Sequence, residues 1–280
     1  MQRSNQHPGA LLRHAGLSLL LLAAACTDLG AVRDWSGASA GIDGFGAGAE
    51  RFAGRPLGQV RVTPPTQHQA LRDIAAMRQR QVGQLKALAG TVGLYMETMN
   101  RLAGDGVPSM GGEVEVLGGR LGAVGLPADR AEAGIGVLAV VSDAALAGVQ
   151  SSRLRRMIED GNDPLHGVLG GMIDIAEAFR LDLEIERARW LDGFVALQTP
   201  SSPVQRILWQ DWVTGLEARL RREEEAADAL TAALRIMASG HQALFDSRDD
   251  IDAVALARRL SDEAGEIGRA LGQVRDAFGN

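Results

Sequence analysis

Cysteine and lysine each occur once in this 280-residue chain, at Cys26 and Lys86, and aromatic residues make up only 4% of it. One cysteine excludes an intrachain disulfide, so a cross-linked secreted scaffold is ruled out. Val, Ile and Thr nowhere alternate with polar residues over a strand-length run, which argues against a β-sandwich and against the parallel sheet of doubly wound enzymes. Excess positive charge is missing too: the formal net charge is −6. Each group of arginines runs into acids, as Arg153, Arg155 and Arg156 do before Glu159 and Asp160, and Arg219, Arg221 and Arg222 before Glu223, Glu224 and Glu225. A nucleic-acid binder carries a basic stripe, so that class drops out, and these runs read as solvated helix faces with opposite charges one turn apart. Also absent are a phosphate-binding glycine loop between strand and helix and any Glu-x-x-His pair.

What is present is aliphatic and helix-forming. Hydrophobic residues make up 46% of the chain and charged residues 23%. Long stretches are dominated by Ala, Leu, Arg, Glu and Gln, all good helix formers, so the fold class is all-α.

The N-terminus carries the most specific signal. Residues 1–16 are polar, with Arg3 and Arg13 and no acid, and residues 17–25 form a short apolar run that ends at Cys26. This is the layout of a secretory signal, too short for a stable bilayer span. Its ending, Leu22-Ala23-Ala24-Ala25-Cys26, resembles the lipobox of bacterial lipoprotein precursors, with Ala23 standing three places before the cysteine where that family favours Leu. The resemblance implies removal of residues 1–25, acylation of Cys26 with palmitate-type chains, and attachment to a lipid bilayer. Thr27 follows the cysteine in place of Asp, which for Gram-negative lipoproteins implies outer-membrane delivery facing the periplasm. A mature chain whose only thiol is its acylated first residue leaves nothing to oxidise there.

Residues 26–65 are glycine-rich. Val32, Trp35, Ser39, Ile42, Gly46 and Ala49 nevertheless recur at three and four spacings, which predicts a helix over 30–53 docked on a partner surface, followed by a linker over 54–65. Residues 66–280 read as one elongated antiparallel bundle of long helices, at 66–104, 109–124, 128–160, 164–198, 203–246 and from about 253 to 278. Their stripes begin at Leu71, Leu165 and Trp209. Gly161-Asn162-Asp163-Pro164 reads as a stop and restart, with Asp163 or Asn162 as cap. The mature part resembles the uncharacterised α-helical lipoproteins of bacterial envelopes in general layout.

Few residues invite chemistry. His241 lies on an apolar stripe one turn from Met237, where an imidazole could ligate a metal or haem; without a second ligand it reads as a core histidine held by a hydrogen bond. His166 is expected in a first helical turn near the surface, and His68 near another helix start. The acidic loop 246–252 lacks the glycine and distal Glu of a calcium loop, so its carboxylates read as capping and solubility groups. Glu223, Glu224 and Glu225 are adjacent on a helix and point to different sides. Gly167 with Gly171, and Gly268 with Gly272, predict close helix contacts. No cofactor, metal or nucleic acid is implied. The reading that follows is a non-enzymatic envelope lipoprotein, structural or interaction module in kind, with the bilayer and an envelope protein as partners. The alternative is a membrane-active, pore-forming-like protein in which the apolar segment 133–149 leaves the bundle, although Asp143 interrupts it. An enzyme has least support.

Overall fold

The computed structural model describes residues 28–42, 46–60, 63–104, 106, 111–146, 150–191, 200 and 202–278. The signal-like residues 1–25 and Cys26 lie outside them. The described residues form eight α-helices and a 3-10 turn, with no strand. They are α1 (Asp28–Ala40), α2 (Gly46–Gln59), α3 (His68–Ala103), α4 (Gly111–Ala123), α5 (Ala128–Leu146), α6 (Gln150–Ala188), α7 (Pro203–Asp246) and α8 (Val254–Phe278). The all-α bundle expected from composition and periodicity is therefore what forms.

At 1.5 Å per residue the 44-residue α7 is about 66 Å long, and the 39-residue α6 nearly as long. These two lie antiparallel, stitched along their length by Arg180 with Asp228 (3.0 Å), Glu177 with Arg235 (2.6 Å) and Arg187 with Glu224 (2.7 Å). α3 runs antiparallel to α6, with Arg78 beside Asp182 and Tyr95 beside Met157. α8 folds back on α7, and α5 on α6. One core cluster joins all of them, from Val32 and Trp35 in α1 to Val274 in α8.

The glycine-rich N-terminal segment is part of that core. The stripe expected over 30–53 is real, since Val32, Trp35, Ser39, Ile42 and Ala49 are all buried. It is split into two helices. The linker expected over 54–65 is shorter than that, because α2 continues through Gly54, Pro56 and Gly58 to Gln59. Phe52 and Ala53 bury against the bundle, and this packing carries a sequence that could not hold a helix by propensity alone. α1 enters beside the C-terminal end of α3, where the Asn100 amide donates to the Arg33 carbonyl (2.6 Å).

The stop expected at Gly161-Asn162-Asp163-Pro164 does not occur. α6 runs through it from Gln150 to Ala188, while α5 is described as far as Leu146 and residues 147–149 lie outside the described set. Packing is the reason. A Cβ on Gly161 would collide with the Tyr95 phenol, and one on Gly136 of α5 would lie 3.0 Å from Pro164 Cβ. The glycine and proline that look like punctuation are contact points between helices. Asp163 accordingly sits exposed in mid-helix rather than at a cap. Elsewhere the signals act as expected. Ser202 caps α7 by accepting from the Gln205 N–H (3.2 Å), with Pro203 in the first turn. Gly125 turns the chain at φ 66° between α4 and α5.

Candidate functional site

Two buried polar clusters stand out against the aliphatic core. The first is centred on His241, which α7 delivers to the middle of the bundle in full burial. Its Nε2 lies 2.8 Å from Tyr95 Oη on α3, and its Nδ1 lies 3.2 Å from the Asn162 side-chain amide on α6. Tyr95 Oη also donates to the Met157 carbonyl at 2.9 Å. Those three gaps need three protons, and a neutral imidazole with a phenol holds two. Turning the Asn162 amide so that its NH2 faces Nδ1 supplies the third, since the amide oxygen and nitrogen exchange places by a simple rotation.

The ring is neutral at physiological pH. Burial, with the His166 ring 6.3 Å away as a smaller cause, pushes the His241 imidazole down to about 3. Burial also raises the Tyr95 phenol well above its ordinary range, with Asp160 adding to the effect. A phenol, an imidazole and an amide in series could relay a proton, but all three are buried, Tyr95 and His241 completely. The expectation of a core histidine held by a hydrogen bond is met. His166, expected near the surface in a first turn, instead sits in the middle of α6, half-buried and turned toward His241. Its buried Nε2 has no hydrogen-bond partner among the described residues.

The second cluster is ionic and was not read from the sequence. Arg78 of α3 donates to Glu186 of α6 at 2.8 Å and lies 3.4 Å from Asp182. Arg55 of α2 reaches both Glu186 (3.3 Å) and Glu223 of α7 (2.6 Å), and the Gln59 amide donates to Glu186 at 3.2 Å. The Phe52 ring lies under both guanidinium groups, 4.1 Å from that of Arg78 and 5.3 Å from that of Arg55. Arg78, Glu186, Glu223 and Gln59 are buried. Burial raises the Glu223 carboxyl, and the Arg55 guanidinium opposes that rise. Glu223 therefore does not belong to a solvated face. A residue every third or fourth place on α7 runs Leu216, Leu220, Glu223, Ala227, and that register turns Glu223 inward. Glu224 and Glu225 stay outside it, as adjacent positions must.

A void of about 10 Å³ lies between Phe52, Phe179 and Leu230, at the lower limit for one water. The larger cleft, about 790 Å³ and open to solvent, runs between α3 and α4 past Gly90, Gly93, Glu97, Glu113 and Arg120.

The remaining candidates fall as follows. His68 Nε2 lies 2.9 Å from the Thr63 carbonyl, a local contact at the start of α3. In the acidic loop, Arg248 stands 3.3 Å from Glu159 and Asp249 pairs with Arg155, so two of its members bind α6. Among the described residues no group of three His, Cys, Asp or Glu side chains converges as a metal site would. Gly167 and Gly171 do sit at a close contact, their Cβ positions 2.9 Å from Ala133 and 3.0 Å from Arg130. Gly268 and Gly272 face open space, so the second predicted contact is absent. Within segment 133–149, Val137, Leu138 and Val141 pack into the core while Ile135 and Asp143 face out. No described helix is long and apolar enough to cross a membrane. The stripe expected to start at Trp209 reaches the core only at Leu216, leaving Trp209 half-buried and Trp212 exposed.

Comparison of the chain with protein-family models, with curated proteins and with solved structures finds no match.

Proposed function

We propose that this protein is a non-enzymatic lipoprotein of the bacterial envelope, acylated on Cys26, held at the outer membrane facing the periplasm, and acting as a structural or protein-interaction module for an envelope partner. The observation that carries this reading is the junction of anchor and fold. α1 begins at Asp28, two residues after Cys26, and four residues further on Val32 is already buried, with Trp35 one turn beyond it. A cysteine so placed ties the bundle to a bilayer with almost no spacer, and several acyl chains hold far more firmly than one. The side chains with chemical potential support the same reading. His241, Tyr95, Arg78 and Glu186 are spent on one another inside the bundle, where they fix which helices meet.

Expression with Cys26→Ser tests it. The substituted protein is expected in the soluble periplasmic fraction or as an uncleaved precursor, while the parent sediments with membranes. Identical membrane retention of both proteins would overturn the proposal.

A further inference from the structure

α2 has little of its own to hold it as a helix. Its 14 residues include Gly46, Gly48, Gly54 and Gly58, with Pro56 inside. Glycine and proline are the two poorest helix residues, and Pro56 has no N–H to offer the Phe52 carbonyl one turn back. Gly54 and Gly58 have nothing within 4 Å of their Cβ positions, so no other helix packs on that side. What holds α2 is its inward stripe. Ala49, Phe52, Ala53, Pro56 and Gln59 recur at helical spacing and are buried.

The seat beneath that stripe lies between α6, α7 and α8. Phe52 fills it, its ring 5.3 Å from the Phe179 ring of α6 and beside Leu183 of α6, Leu230 of α7 and Phe278 of α8. Three residues on, and on the same side of α2, Arg55 reaches Glu186 at 3.3 Å and Glu223 at 2.6 Å. Lifting α2 therefore takes Arg55 from Glu223, and both Arg55 and Gln59 from Glu186. Asp182, Glu186 and Glu223 are then left around Arg78, with a weaker attraction from Arg219 on Glu223 and with Arg187 paired to Glu224 outside them. Buried carboxylates stripped of a cation are unfavourable, so whatever replaces Phe52 must bring a positive charge with it.

We propose that α2 is a displaceable strap, which fills from within the chain a docking groove on α6 and α7 for a partner's helix that presents an aromatic ring and, three residues later, an arginine. The proposal rests on the reading of this chain as an interaction module. A helix seats in a groove through such anchors one turn apart, and a guanidinium can span two carboxylates. A partner helix free of glycine and proline keeps its conformation better than α2 does, and so competes for the seat against the advantage that tethering gives α2.

The test uses the full chain carrying Cys26→Ser, so that a failed strap and a failed anchor are separate results. In hydrogen exchange read by mass spectrometry, residues 49–59 should exchange about a hundredfold or more faster than residues 85–99 of α3 and 168–183 of α6. Gly54→Ala with Gly58→Ala, both facing open space, should slow that exchange about tenfold. The docking probe is a fluorescent peptide of residues 46–59 carrying Gly54→Ala, Pro56→Ala and Gly58→Ala. A chain whose strap is weakened by Phe52→Ala and Arg55→Ala should bind it about tenfold or more tightly than the parent chain does. A peptide that itself carries Phe52→Ala or Arg55→Ala should lose that affinity. Exchange of 49–59 no faster than that of α3 and α6 overturns the proposal. So does a peptide that binds neither chain, binds both equally, or is indifferent to its own Phe and Arg. Collapse of the helix content of the strap-weakened chain in circular dichroism also overturns it, since α2 is then an inseparable part of the core.

Discussion

Tyr95, Gly161 and His241 come from three different helices and leave one another no freedom. The phenol fills the volume a Cβ on Gly161 would need, and its oxygen lies within hydrogen-bond reach of the imidazole. His241→Gln keeps a hydrogen-bonding group at similar reach, so it should lower stability by about 1 to 3 kcal/mol, read as a drop in thermal midpoint. Any loss of a bound metal or chromophore on that substitution would show His241 to be a ligand instead. The same residue sets a pH dependence. Its imidazole titrates near 3 when folded and near 6.5 when unfolded, so between those values the unfolded chain binds the extra proton. Its contribution to stability is therefore complete above pH 6.5 and falls, by up to about 1.4 kcal/mol per pH unit, as the pH drops toward 3. Glu223 acts in the opposite sense. Its raised carboxyl binds a proton in the fold first, so its effect is to lower stability as the pH rises from about 4.5. Denaturant titrations across this range should show a flatter acid limb in His241→Gln than in the parent.

The ionic cluster shows what the sequence reveals once the register is known. The apolar stripes of α3, α6 and α7 each have a gap, between Met77 and Val82, Leu183 and Trp190, and Leu220 and Ala227. Arg78, Glu186 and Glu223 occupy those gaps in helical register, and the three helices bring them together. A charge on a stripe is visible in one sequence; that three such charges meet depends on how the helices slide past one another, which one-dimensional spacing does not contain. Arg78→Met should cost about 3 kcal/mol because it leaves Glu186 buried with less compensation, and adding Glu186→Leu should recover part of that loss. A double substitution less stable than either single one would contradict this reading.

At the scale of whole elements, the periodicity of apolar residues located the helices well and glycine and proline located their ends poorly. Gly125 and Pro203 do bound helices, since one has a positive φ and the other sits behind a serine cap. Gly161, Pro164, Gly54 and Pro56 lie inside helices, where tertiary packing overrides local preference. The two kinds of glycine should respond oppositely to alanine. Gly161→Ala forces a methyl into the Tyr95 ring and should destabilise by about 2 to 3 kcal/mol. Gly265 in α8 has nothing within 4 Å of its Cβ position, so Gly265→Ala should stabilise by about 0.5 to 1 kcal/mol. Thermal melts of the two variants decide the matter, and a shift of the same sign in both would contradict it.

The whole molecule is a rod with different ends. At one end α1 enters beside the C-terminus of α3, with Arg33, seven residues after Cys26 in the sequence, under Asn100 and Gly104. At the other, α7 projects its first three turns with Val204, Ile207 and Leu208 uncovered. Under the proposed acylation of Cys26, the second end would stand roughly 65 Å from the tether along the helix axis. This polarity depends on the chain being joined to a bilayer at Cys26, and mass spectrometry of the N-terminal peptide from protein extracted out of bacterial membranes tests that most directly. The predicted result is a peptide that begins at Cys26 and carries the added mass of acyl chains on that residue. An unmodified N-terminus at any other residue, or a free thiol at Cys26, would contradict it.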